Sequence, residues 1–173
     1  MKDFNITKED IGRLTNPSPQ FRIFIPTQEK VEQIADWLYK GRLNLSDEQR
    51  NMEYIWKVII PNNYNRSDLT LFYEIGDFIG VLGFASIIPG FKCDLVMKFW
   101  DKDGWSISLV KEARGLLGLI MDSFDLIRVN ARTPDKRVEK MAHLIGFKTE
   151  GRQCKNFMWK ENPMDLIILG LTR

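Results

Sequence analysis

The stretch that decides the fold is residues 127–147, IRVNARTPDKRVEKMAHLIGF. Its opening, Ile127-Arg128-Val129-Asn130-Ala131, completes a run from Asp125 that reads as a strand. Thr133-Pro134-Asp135 reads as a helix entrance, with Thr133 as cap, Pro134 in the first position and Asp135 at the positive end. Val138, Met141, Ala142 and Ile145 recur at helical spacing, and Gly146 stops the helix. A strand that feeds a helix of this kind belongs to a sheet covered by helices.

Upstream lies the longest predicted helix, which begins near Trp105 or Ser106 and runs through Ile107, Val110, Leu117, Ile120 or Met121, and Phe124. Before it, Cys93, Leu95, Met97 and Phe99 alternate with Asp94, Val96, Lys98 and Trp100, a strand pattern. Residues 69–74 read as another strand, Gly76-Asp77 as a turn and residues 78–88 as its hairpin mate, with Gly80 and Gly83 marking irregularity. Pro89-Gly90 makes the next turn. Phe21, Ile23 and Ile25 form a short first strand ended by Pro26, and Thr27 caps a helix through Val31, Ile34, Ala35 and Leu38. A second helix runs from Ser46 through Trp56. Downstream, residues 147–151 open a last hairpin, with arms at 154–160 and 166–171 around Glu161-Asn162-Pro163. Asn16-Pro17-Ser18-Pro19 breaks the chain, so residues 1–20 read as a peripheral segment and 21–173 as one domain. The expected class is α/β, a mixed central sheet of about seven strands with helices on both faces.

Composition agrees with a folded globule. Of 173 residues, 44% are hydrophobic and 28% charged, and the formal charge is +2. Those figures exclude wholesale disorder and a strongly polybasic protein. The basic excess is local: residues 128–173 hold ten Lys or Arg against five Asp or Glu. That segment invites an anionic partner, or is simply an uneven solvated surface. Phe157 and Trp159 share one face of its strand and suit either base stacking or core packing. Two distant cysteines, Cys93 and Cys154, give no disulfide framework, and the start resembles no signal peptide, so a cytoplasmic location is expected. No apolar run reaches membrane-spanning length. One histidine and two cysteines exclude a zinc finger, and no Gly-x-x-x-x-Gly-Lys-Ser/Thr occurs.

The local chemistry centres on Asp101-Lys102-Asp103-Gly104-Trp105-Ser106. Unpaired N–H groups at Gly104, Trp105, Ser106 and Ile107 could hold phosphate at the helix start, with Trp105 covering a ligand. The same residues also suit a capped helix with a core tryptophan.

The order of elements, with Gly146-Phe147 and the final strand, resembles the GNAT family of acyl-CoA-dependent N-acetyltransferases over about residues 21–173. The likeness is to a divergent member, of the kind found in bacterial viruses. Members typically have an asparagine eleven residues before the glycine of the Gly-Phe pair; Asp135 occupies that position here, and the resemblance makes it a cofactor-binding candidate. The resemblance implies acetyl-CoA as cofactor and an amine, on a small molecule or a protein, as acceptor. It implies two splayed parallel strands, 94–100 and 126–131, that admit the pantetheine arm. The backbone of Val96, Lys98, Phe99 and Trp100 would then pair with the cofactor, and its pyrophosphate would lie at Lys102, Gly104, Trp105 and Ser106.

Two features depart from the family. Its phosphate loop has the form Gln/Arg-x-x-Gly-x-Gly/Ala, whereas Asp101 leads here and one glycine survives. Its tyrosine acid, four residues before the Gly-Phe pair, is Ala142. Tyr73 is the alternative proton donor. Acyl transfer needs a neutral amine, so a carboxylate base is required. Asp94 and Glu74 are the candidates, Asp94 preferred because it begins the cofactor strand and shares a face with Lys98. Pairing of Asp94 with Lys98 or solvent is the plainer reading. His143 reads as a structural or surface residue and Cys93 as buried and inert. A noncatalytic binding or assembly protein of the same fold, and a nucleic-acid-binding accessory protein, are the rival functions.

Overall fold

A computed structural model describes residues 8–25, 27–39, 69–99, 106–159 and 161–173. In chain order it contains α1 (Lys8–Thr15), β1 (Phe21–Ile23), α2 (Gln28–Tyr39), β2 (Leu69–Ile75), β3 (Gly80–Ile88), β4 (Lys92–Phe99), α3 (Ile107–Ser123), β5 (Arg128–Thr133), α4 (Lys136–Ile145), β6 (Lys148–Trp159) and β7 (Asn162–Thr172). The helix predicted over 46–56 lies outside the described residues, as do Trp100, Lys102, Gly104 and Trp105.

The seven strands form one mixed sheet in the order β1-β2-β3-β4-β5-β7-β6. Only β4 and β5 run parallel; every other neighbouring pair is antiparallel. This is the expected architecture, and α3 is the crossover that a parallel β4–β5 pair requires.

The strand alternation sorts side chains into two layers. On one face Tyr73, Leu82, Phe84, Cys93, Val129, Ile167 and Leu169 pack against Leu109, Leu116, Leu117 and Ile120 of α3 and against Ala142 and Ile145 of α4. Leu14 of α1 is buried in the same cluster, so a helix lies within the first twenty residues. On the opposite face Phe24, Val31, Ile34, Phe72, Phe78 and Val81 are buried outside that cluster, on the side of α2. Thr27 caps α2 as expected, its Oγ1 accepting the Lys30 N–H at 3.3 Å. Among the described residues, no helix is long and apolar enough to cross a membrane.

Several boundaries differ from the sequence reading for physical reasons. The fifth strand begins at Arg128, not Asp125, because α3 closes on a left-handed residue. Asp125 has φ 49°, its N–H donates to Asp122 O, and the Leu126 N–H reaches Met121 O at 2.8 Å. That is the Schellman closure usually made by glycine, made here by an aspartate. Helix α4 is capped by Asp135, not Thr133: its carboxylate accepts the Arg137 N–H at 2.8 Å, and Pro134 lies before the helix. Helix α3 starts at Ile107 with Ser106 as cap, one or two residues later than predicted. The last hairpin is longer than expected because register shifts between Thr149 and Gly151 and between Gln153 and Phe157 absorb its irregularities.

Candidate active site

The parallel pair β4–β5 is held together at four positions only, from Lys92↔Arg128 to Leu95↔Ala131. Beyond Leu95 the two strands part. Val96, Met97, Lys98 and Phe99 continue in register with Gly83, Leu82, Val81 and Gly80 of β3. Arg132 and Thr133 continue with Ile168 and Ile167 of β7. Over the last four residues of β4, therefore, β5 is no longer in register with it. An edge of this kind, opened in the middle of a sheet, presents backbone donors and acceptors to whatever fills the gap.

The register also says which predicted side chains meet. Glu74, Val81 and Lys98 stand opposite one another across three strands, and Asp94 and Val96 share the Lys98 face of β4. Tyr73 stands opposite Leu82 and thus points into the other layer. There it is fully buried, packed edge-on to Phe84 with ring centroids 6.1 Å apart, and its hydroxyl has no partner among the described residues. Burial pushes that phenol's pKa upward. Asp94 and Tyr73 therefore lie on opposite faces of the sheet.

Glu74 is buried and both of its carboxylate oxygens are taken. Arg22 Nε approaches one at 3.2 Å and Lys30 holds the other. The Lys30 ammonium in turn lies 5.7 and 5.3 Å from the centroids of the stacked Phe24 and Phe78 rings. Both oxygens of Glu74 are thus engaged in ion pairs. Asp94 is exposed, and among the described residues its partner is the side-chain amide of Asn130, at 3.0 Å. It does not take Lys98 as an ion-pair partner. Burial lowers the Lys98 ammonium to about 8. Cys93, beneath the apex, is pushed up to about 12 by burial and then by the Asp94 charge, so its thiol stays protonated and inert.

Of the residues expected to hold a cofactor, Ser106 is the α3 cap, its Oγ accepting the Leu109 N–H at 3.0 Å. Asp135 caps α4 and pairs with Arg137 at 2.9 Å. Next to Ser106 the structure holds a groove that sequence reasoning missed. Ser106, Ile107, Val110, Lys111 and Arg114 of α3 and Met141 and Leu144 of α4 enclose about 440 Å³. Ile107 and Leu144 are 78% and 66% exposed, unusual for large apolar side chains. Neither Lys111 nor Arg114 has an ion pair among the described residues. The signal was present as an i, i+4 spacing of Lys111 and Ile107, but it became a groove only through the packing of α4.

The Nε2 of His143 lies 3.0 Å from Thr149 Oγ1, which donates to Glu139. Among the described residues, no cluster of His, Cys, Asp or Glu suits a metal ion.

No protein-family model and no curated protein sequence matches the chain. Solved structures do. A probable acetyltransferase superposes with a TM-score of 0.69 at 14% identity, over 91% of this chain and 96% of that one. The microcin C7 self-immunity acetyltransferase, in complex with acetyl-CoA and AMP, gives 0.66 at 16%, over 90% and 94%. The fold is that of the GNAT acetyltransferases. The Vibrio cholerae spermidine N-acetyltransferase, in complex with coenzyme A and spermine, matches at 0.60 and 13%, over 90% and 96%. At such identities the likeness is one of fold, and it carries no mark of a viral subtype.

Proposed function

We propose that this GNAT-fold chain is an acetyl-CoA-dependent N-acetyltransferase acting on an amine. The observation that carries this reading is the parting of β4 and β5 above Leu95 and Ala131, so that β5 does not pair with β4 from Val96 to Phe99. The residues around the gap fit an acyl-CoA. The open β4 edge suits the amides of a pantetheine arm, the Ser106-capped start of α3 suits a pyrophosphate, and the adjoining groove with Lys111 and Arg114 suits the nucleotide end. Lys102, Gly104 and Trp105 are assigned to the pyrophosphate by the same reading. Acetyl-CoA supplies an acyl group activated as a thioester.

The chain's own residues then have separate tasks. Asp94 takes the proton from the attacking amine, because it is an exposed carboxylate at the apex of the gap and has no ion pair among the described residues. A backbone N–H of the open β4 edge stabilises negative charge on the carbonyl oxygen. Glu74 is assigned to packing between Arg22 and Lys30, and Tyr73 to the opposite core layer. Ala142 offers no hydroxyl, so α4 supplies no acid at the position where the family places a tyrosine.

The nucleic-acid reading draws less support. Arg128, Arg137, Arg152 and Arg173 of the late basic segment are paired with Glu150, Asp135, Glu139 and Asp122. Cations spent on internal carboxylates contribute little to phosphate binding.

The test is coenzyme A release from acetyl-CoA with a panel of spermidine, an N-terminally free peptide and benzylamine. It is followed chromatographically because exposed Cys154 would consume thiol reagents. The wild type should turn over at least one amine, and Asp94→Asn should lower kcat by about 10²–10⁴-fold. No release from any amine, with acetyl-CoA bound, would favour a noncatalytic binding protein.

A further inference from the structure

Asp94 is the end of a row of side chains that crosses the sheet. Asn130 Nδ2 donates to Asp94 Oδ1 at 3.0 Å, and Arg128 Nε donates to Asn130 Oδ1 at 2.6 Å. Arg128 Nη2 donates to Glu150. The row thus joins β4, β5 and β6, skipping β7, which lies between the last two.

We propose that Asn130 is a positioning residue, which fixes the orientation of the Asp94 carboxylate and is itself fixed by the Arg128–Glu150 pair. The inference deepens the acetyltransferase reading and rests on it for the role of Asp94.

The donor and acceptor arithmetic gives the row a single direction. A guanidinium has five N–H donors and no acceptor, so only the amide oxygen of Asn130 can face Arg128. Its Nδ2 must then face Asp94, which is a pure acceptor when ionised. With Oδ1 of Asp94 so engaged, Oδ2 is left for the amine proton; Asp94 has no other partner among the described residues. The Arg128–Glu150 bond holds Glu150 below and Arg128 above their ordinary values, so that pair stays ionised through neutral pH.

Gly170 explains how the row crosses β7. It stands opposite both Asn130 and Lys148 in the register. Its φ is not in the left-handed region, so the backbone does not require glycine there. What it provides is space: a Cβ on Gly170 would push the carboxylate of Glu150 out of its present position. The glycine keeps a lane open for Glu150 to reach Arg128.

A merely structural role would show in stability. Turnover is the readout that a merely structural role of these half-exposed pairs would not move. The experiment has two readouts. In the ¹⁵N spectrum of the full chain, the Asn130 side-chain amide pair should be displaced from the exposed-asparagine position and slow to exchange. Both Arg128→Ala and Gly170→Ala should return it there. In turnover of the amine panel above, Asn130→Asp keeps the shape and the acceptor for Arg128 but loses the donor. It should lower kcat about 10–100-fold with KM changed less than about threefold, the size expected for a misplaced reacting group. Gly170→Ala should reproduce part of that loss.

An Asn130 amide pair that is unmoved by Arg128→Ala overturns the row, whatever the activity. A wild-type kcat in Asn130→Asp overturns the positioning role while leaving the acetyltransferase reading intact. No turnover by the wild type overturns both, and the amide spectrum then reports only on the hydrogen bonds.

Discussion

Replacing Tyr73 by Phe deletes one oxygen from the interior and nothing else. The ring is fully buried, its edge contact with Phe84 survives the change, and the lost hydroxyl has no partner among the described residues. A buried polar group without a hydrogen bond costs about 1–3 kcal/mol, offset in the variant by a void smaller than a methyl group. The net gain is about 1–2 kcal/mol, or about 2–8 °C in Tm for a chain of this size. Urea and thermal melts at pH 7, read by circular dichroism, measure it.

The pH dependence provides a second reading of the same residue. Burial raises the phenol above its ordinary value of 10.0 in the folded state. The unfolded chain then releases this proton first as pH rises, so the contribution is complete below about pH 10 and is lost above it. The variant should lose stability less steeply than the wild type in that alkaline range. Coenzyme A release should be unchanged, because the hydroxyl lies in the layer opposite Asp94. A loss of 1 kcal/mol or more in the variant would refute the reasoning, since it would mean the hydroxyl is bonded in the wild type.

Gly83→Ala should destabilise by about 1–3 kcal/mol, because a Cβ there would overlap the buried Phe72 ring, which packs in the α2 layer; chemical denaturation checks this. Lys111→Glu with Arg114→Glu should weaken acetyl-CoA binding at least tenfold in a titration calorimeter while Tm stays within about 3 °C, since both side chains line the α3–α4 groove and pair with nothing described. The carboxyl of Glu150 is held below 4.5 by its hydrogen bond from Arg128. Its contribution is therefore present above pH 4.5 and disappears as pH falls through the folded value. Glu150→Gln should flatten the acid side of the stability profile and leave the slope at pH 7–8 unchanged.

How much of this was legible in the sequence depends on the range of the interactions involved. The alternation in residues 69–74 and 93–99 marks β2 and β4 without outside help, because one face of each is buried against the helical layer. The stripe from Val138 to Ile145 and the stop at Gly146 mark α4 in the same way. The start of β5 was misplaced because Asp125 takes a left-handed turn that glycine normally signals. Helix α1 has little signature of its own, because its eight residues carry only Ile11 and Leu14 as large apolar side chains and its burial comes from packing on the sheet layer.

At the site, alternation along β4 continues unbroken from Lys92 to Phe99 whether or not β5 lies alongside, so the parting of the strands has no local signature. The place of Asp94 on β4 is legible from the alternation alone. The row of Asn130, Arg128 and Glu150 is not, since each meets its neighbour only through cross-strand register and the gap left by Gly170. The Lys111–Arg114 groove likewise exists only once α4 packs beside α3.

Acetyl-CoA is expected along the edge of β4 above Leu95. The most direct measurement is the ¹⁵N-resolved backbone amide spectrum of residues 96–99 as acetyl-CoA is added. Saturable shifts of these amides at micromolar to millimolar acetyl-CoA, with slowed hydrogen exchange and a higher Tm, are the predicted result. Amides of Val96 to Phe99 that stay where they are at several millimolar acetyl-CoA, with Tm unchanged, would contradict it.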